Sequence, residues 1–359
     1  MSGNIVNEDI ESICSEPIPW ETLKKDRILI TGARSYIAGY IIKTLLKLND
    51  DRGYHIKIFA LCRNESLSEA HFDVLCERED FELVIRDVTE KFPEYIHADI
   101  IIHAASPATP YAICHEPVSV VKANVLGYLN VLDAAKMWDA RQVMLFSSST
   151  VYGGHTPDDG ADEAYRGAVD FTEPCFAYRL SKQMCETLSA AKAREEGMDI
   201  RIVRPFIVFG PGVSLDQKKH FTDFLANALN NEDIILKSRG EAKRAFCYLS
   251  DAVKGFFYVL LKGEAGEAYN ITSAKNVCTV KKLAETFAEN CKGVSVAFDK
   301  GAKEEYLRSK DDISVGRNDK LKALGWRDET DLHTGVSRLI EWGRSGEKVF
   351  EGYDFGEEN

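Results

Sequence analysis

The sequence predicts an α/β fold, with a parallel sheet wound by helices on both faces. Three observations lead there. Short apolar strands alternate with longer helical stripes from residue 27 to about residue 204, the order that right-handed crossovers build into a parallel sheet. The first strand runs straight into a glycine turn and a helix, Thr31-Gly-Ala-Arg-Ser-Tyr-Ile-Ala-Gly39. A chain of 359 residues, 45% of them hydrophobic, can fill one large domain and a smaller partner.

Residues 1–26 are acidic and weakly patterned. Pro17 and Pro19 oppose a long helix there, Glu8–Cys14 suit a short one, and the segment reads as a docking extension. The strand Ile28–Ile30 follows, then a helix over Ile37–Asn49 and a strand over His55–Leu61. Leu83–Arg86 and Ile100–His103 are further strands. Across 118–138 the apolar residues Val121, Val125, Leu129 and Leu132 make a helical stripe. Gln142–Phe146 is a strand, and the helix that carries Tyr178 ends near Gly197, a C-cap. Ile200–Arg204 closes the series, and beyond Gly210 the pattern is less regular.

Net charge is −12 with no basic cluster, which argues against nucleic acid or an anionic membrane as partner. Nine cysteines lie scattered without a Cys-x-x-Cys pair. They suggest neither a zinc site nor a disulfide framework, but reduced, buried thiols. The eight histidines show no ligand spacing, so no metal is expected. No apolar run is long enough to span a bilayer and no signal-peptide pattern opens the chain, which reads as cytoplasmic.

The chemistry concentrates in Tyr178-Arg-Leu-Ser-Lys182, preceded by Ser147-Ser-Ser-Thr-Val-Tyr-Gly153. Residues i and i+4 share a helical face, so Tyr178 and Lys182 point into one pocket. An ammonium one turn away favours the phenolate and draws the phenol towards acid–base range. A serine hydroxyl at a strand end can hydrogen-bond the same substrate oxygen. These parts suit hydride transfer at a carbon bearing oxygen.

In company with Arg27-Ile-Leu-Ile-Thr-Gly32, His103-Ala-Ala-Ser106 and Arg204-Pro-Phe-Ile-Val-Phe-Gly-Pro211, these motifs resemble the extended short-chain dehydrogenase/reductases. The branch is the one that modifies nucleotide-diphosphate sugars, and the resemblance runs from about Arg27 to Trp342. It implies a Rossmann-like NAD(P)-binding domain over 27–210. A smaller C-terminal substrate-binding lobe over 211–345, with segments returning to the sheet, and a tail over 346–359 complete the division. The sugar nucleotide would lie in the cleft between them.

The resemblance assigns residues as well. Gly32 sits on the dinucleotide-loop pattern, with Ser35 and Ala38 in place of later glycines; Arg34, Ser35, Tyr36 and Ile37 belong to that loop. Asp87 and Val88 match the adenine-contacting pair, and Ala104 and Ala105 line the cofactor by backbone. Where NAD-binding relatives end the second strand with a carboxylate, this chain has Leu61-Cys-Arg-Asn64. Arg34 and Arg63 could hold a 2′-phosphate. Either alone reads equally as a surface arginine; together they favour NADP(H), with NAD(H) the alternative.

Ser148 takes the catalytic Ser/Thr position, with Ser147 and Ser149 beside it, and Lys182 would also bind the nicotinamide ribose. Related 4,6-dehydratases carry Asp-Glu after that position, and the UDP-glucuronate decarboxylases a glutamate just before the valine. Here Ser149 and Thr150 stand instead. That version resembles sugar 4-epimerases and would equally serve a 4-keto reductase. Decarboxylation with a relocated carboxylate, Glu173 or Asp170, and a non-catalytic sensor are the other readings. Arg244 matches the arginine that grips the diphosphate, unless it pairs with Asp251. Arg308, in competition with Arg317, is a second clamp, and Asn124 is a substrate contact unless its amide bonds the helix backbone. Ile207 replaces the asparagine that relatives use on the sugar nucleotide. The resemblance implies a homodimer paired through two helices, 118–138 and 176–196, whose apolar stripes could equally be core.

Overall fold

Seven strands form the central sheet of the computed structural model, which describes residues 4–215, 220–299 and 313–350. They are β1 (Arg27–Thr31), β2 (Lys57–Cys62), β3 (Phe81–Ile85), β4 (Ile100–His103), β5 (Gln142–Phe146), β6 (Ile200–Pro205) and β10 (Ala268–Ile271), all paired in parallel. Their order across the sheet is β3-β2-β1-β4-β5-β6-β10. The chain therefore reverses direction of travel between β1 and β4, and a crevice opens there at the C-terminal strand ends.

Both faces of the sheet are covered, which is why the strands read as unbroken apolar runs. Ile28, Ile30, Ile58, Ile100, Ile102 and Met144 turn to one face. There they pack with the helix Tyr36–Arg52 and the helix Leu249–Lys262. Leu29, Phe59, Ile101, Val143 and Leu145 turn to the other, against the helices Gly127–Met137 and Ala177–Glu196. The period-2 alternation of each strand sorts these neighbours onto opposite layers.

Outside the sheet, β7 (Ile207–Phe209) pairs with β9 (Lys243–Tyr248), which also pairs with β11 (Val277–Thr279) and β13 (Ile313–Ser314). A small parallel pair joins β8 (Ile234–Leu236) to β12 (Val296–Phe298). Near the amino terminus, the helix Ile5–Cys14 begins three residues earlier than the pattern predicted and buries Ile5, Val6, Ile10 and Ile13. Its Asp9 is buried, accepting hydrogen bonds from Tyr40, Tyr248 and Arg338. No described helix is long and apolar enough to cross a membrane.

The predicted helix across 118–138 is corrected by the structure. It is broken into Pro117–Val121, a π-helical turn over Lys122–Leu126, and Gly127–Met137. Gly127 explains the close approach on one side, because a Cβ there would come 2.7 Å from Val88 Cγ1. The Tyr178 helix ends as expected, at Gly197 with φ +70°. The strand at Leu83–Arg86 is displaced to Phe81–Ile85. Of the nine cysteines, Cys76 and Cys114 are exposed and Cys175 and Cys278 half-buried, so the expected burial of every thiol does not hold.

Candidate active site

At the crevice, Gly32 leaves β1 with φ +68°, and a Cβ would come 2.8 Å from the Ala105 backbone. Only glycine fits that close pass, and it leaves a cradle at the end of the following helix. Ser35 caps that helix, accepting a hydrogen bond from the Ala38 N–H at 3.3 Å. The remaining first-turn N–H groups, with the helix dipole behind them, suit an anion. Thr31 holds the opposite wall, its Oγ1 accepting from the Ala105 N–H and bonding His103 Nδ1. Burial lowers the His103 ring to about 3, so it stays neutral there.

The Tyr36 hydroxyl donates to the Val208 carbonyl, tying this loop to β7, and Ile37 is half-buried in the helix's first turn. Arg34 acts electrostatically on Cys62, at the end of β2, and Arg63 is exposed immediately beyond it. Asp87 accepts from the Thr89 N–H and hydroxyl; these bonds and the Arg63 charge outweigh burial and hold its carboxyl below the usual range. Val88 is buried against Gly127. The fold thus gathers Gly32, Arg34, Ser35, Tyr36, Ile37, Arg63, Asp87, Val88, Ala104 and Ala105 along the C-terminal ends of β1 to β4.

Ser148 follows β5, and its Oγ accepts from the Thr150 N–H and hydroxyl at 3.2 and 3.0 Å. That leaves its own proton to offer outward. Ser147 is engaged elsewhere, donating to Glu186 at 2.5 Å, so Ser148 is the serine that meets Tyr178. Tyr178 is buried, and burial raises its phenol above the ordinary value, opposed by hydrogen bonds with Ser148 and Ser106. The expected depression by Lys182 is thereby reversed. The Lys182 ammonium lies 5.9 Å from the Tyr178 ring centroid and donates to the Phe146 carbonyl at 2.8 Å. Burial brings its own pKa down to about 8.

Two residues escaped the reading from sequence. Ser106, two residues past Ala104, donates to Asn124 Oδ1 at 2.7 Å and reaches the Tyr178 phenol. Glu186, one turn beyond Lys182, extends the same helical face. It receives Arg204 through two N–H bonds of 2.9 and 2.6 Å, and Arg204 also donates to Tyr152. The i, i+4, i+8 spacing from Tyr178 was the signal that could have found Glu186.

Asn124 lies in the π-helical turn, buried at 1% exposure, and donates through Nδ2 to Ser181. Ser181 in turn donates to the Tyr178 carbonyl. The amide bonds two side chains, Ser106 and Ser181, not the helix backbone, and so ties the π-helical turn to the Tyr178 helix. Arg244 projects from β9, donating to the Lys243 carbonyl and acting electrostatically on His220. Asp251 accepts the Thr330 N–H, and no ion pair between it and Arg244 is seen among the described residues. Arg317 pairs with Asp319 at 2.7 Å, and Arg308 lies outside the described residues. No cluster of potential metal ligands occurs among the described residues.

The profile of the NAD dependent epimerase/dehydratase family matches residues 28–272. UDP-glucuronic acid decarboxylase 6 of Arabidopsis thaliana is 31% identical over 316 residues, 88% of each chain. Among solved structures, UDP-glucose 4-epimerase of Thermotoga maritima with UDP-glucose superposes at a TM-score of 0.73 and 20% identity, covering 89% of this chain and 99% of its own. UDP-glucuronic acid 4-epimerase of Bacillus cereus in complex with NAD gives 0.72 and 19%, covering 90% and 100%. Likeness at those identities speaks for the fold, and the profile and the plant relative speak for descent. The chain belongs to the NAD dependent epimerase/dehydratase family of nucleotide-sugar enzymes.

Proposed function

We propose that the chain transfers hydride at C4 of a nucleotide-diphosphate sugar, as a 4-keto reductase or a 4-epimerase. The observation that carries this reading is the cluster of Ser148, Tyr178 and Lys182 beside the Gly32 cradle, with Ser149 and Thr150 rather than carboxylates following Ser148 in the chain. A nicotinamide dinucleotide supplies the hydride chemistry when bound. Gly32, Ser35, Tyr36 and Ile37 would hold its pyrophosphate, Asp87 and Val88 its adenine, and Ala104 and Ala105 its flank. Arg34 and Arg63 near the end of β2 favour NADP(H); the bound NAD of the Bacillus cereus structure keeps NAD(H) as the alternative.

The residues divide the work simply. Burial keeps the Tyr178 phenol protonated at neutral pH, ready to give its proton to the C4 oxygen as that oxygen gains charge. Ser148 turns its hydroxyl proton from Tyr178 to the same oxygen, and Lys182 binds the cofactor ribose. Arg244, with Arg308 as second clamp, would take the diphosphate. The exposed Val118, Leu126 and Met137 along the broken helical run 117–137, and Met184 on the Tyr178 helix, fit a homodimer.

A second reading, decarboxylation of a uronic acid nucleotide, is favoured by the plant relative. Against it, Glu173 caps its own turn through the Cys175 N–H, and Asp170 accepts from Thr172. Parallel incubations decide. With NADPH, a 4-keto sugar nucleotide should be reduced, or a UDP-hexose should yield its C4 epimer. Carbon dioxide from UDP-glucuronic acid would overturn the first reading, and no turnover across the panel would point to a non-catalytic sensor.

A further inference from the structure

Two of the thiols that are not fully buried face each other beside the candidate site. Cys175 donates its S–H to Cys114 Sγ at 3.1 Å, across 61 residues of sequence. Cys114 is exposed on the short helix Pro110–His115, and Cys175 is half-buried in the turn Pro174–Phe176. The helix follows Ser106 after a few residues, and the turn runs directly into the Tyr178 helix. The other exposed thiol, Cys76, sits in a helical turn over Asp73–Glu77, away from both.

We infer that Cys114 and Cys175 form a reversible disulfide, a thiol-modification site that links the segment after Ser106 to the start of the Tyr178 helix. The sulfurs need to close by about 1 Å to reach the bonded distance of ~2.05 Å. The six-residue helix and the three-residue turn are both at the surface, and a shift of that size falls within the reach of their side-chain torsions. The oxidant is a low-molecular-weight disulfide. Cys114, the more exposed, attacks one of its sulfurs as the thiolate and expels one small thiol. Cys175, deprotonated in turn, displaces the second small thiol and closes the protein disulfide. Two protein thiols lose two electrons and two protons, and the small disulfide is reduced to two thiols.

The test uses the full chain, treated with oxidised glutathione, then denatured and titrated for free thiols. The count should fall from nine to seven, and peptide mapping should join Cys114 to Cys175. The melting midpoint should rise on oxidation and return with dithiothreitol. Cys114→Ser and Cys175→Ser should each abolish the link and the shift, whereas Cys76→Ser should keep both. Glutathione attached singly to either cysteine, or a link through Cys76, would overturn the inference.

Discussion

Glu186→Ala should destabilise the protein far more than loss of a surface carboxylate. Glu186 and Arg204 have side chains only 15% and 7% exposed, and two N–H bonds join them at 2.9 and 2.6 Å. Removing the carboxylate leaves a buried guanidinium with the Tyr152 hydroxyl and the Glu163 carbonyl as its remaining acceptors. Breaking one side of such a pair costs about 3–5 kcal/mol. The partial exposure of Glu186 selects the lower end, about 3 kcal/mol. For a chain of 359 residues that corresponds to roughly 4 °C in melting midpoint. Calorimetry would read it, and a cycle with Arg204→Ala would isolate the coupling. A loss below about 1 kcal/mol, the range of exposed pairs, would refute the reasoning.

Other outcomes follow from the same geometry. Gly32→Ala forces a side chain into a positive-φ site 2.8 Å from the Ala105 backbone; it should cost about 1–3 kcal/mol in urea unfolding and weaken dinucleotide binding. Lys182 has a folded pKa of about 8 against an ordinary 10.5. Below pH 8 both folded and unfolded chains hold its proton; between the two values the unfolded chain holds more, so its contribution to stability rises with pH. Turnover that needs the ammonium should fall as pH passes about 8, and a flat kcat/KM profile there would count against Lys182. Replacing both Arg34 and Arg63 with alanine should weaken NADPH by tenfold or more while leaving NADH nearly unchanged, as isothermal titration can measure.

The sheet was legible because strands buried on both faces are runs of Ile, Leu and Val, whose period needs no partner to interpret. Tyr178 and Lys182 were legible for a similar reason, since i and i+4 share a face in any helix. The π-helical turn at Asn124 was not. It goes with side-chain bonds to Ser106 and Ser181, and with the pass of Gly127 over Val88, contacts between segments distant in sequence. The direction of the Tyr178 shift was missed because spacing reports the nearby ammonium but not the burial that raises the phenol against its hydrogen bonds to Ser148 and Ser106. Arg204 looked like the start of a motif, and only the fold brings Glu186 to it.

The most direct test of the account is Tyr178→Phe, assayed for NADPH-dependent reduction of 4-keto sugar nucleotides and for C4 epimerisation, with dinucleotide affinity measured beside it. The account predicts a loss of turnover of about 10²-fold or more with cofactor affinity kept. Turnover at the level of the unaltered enzyme would contradict it.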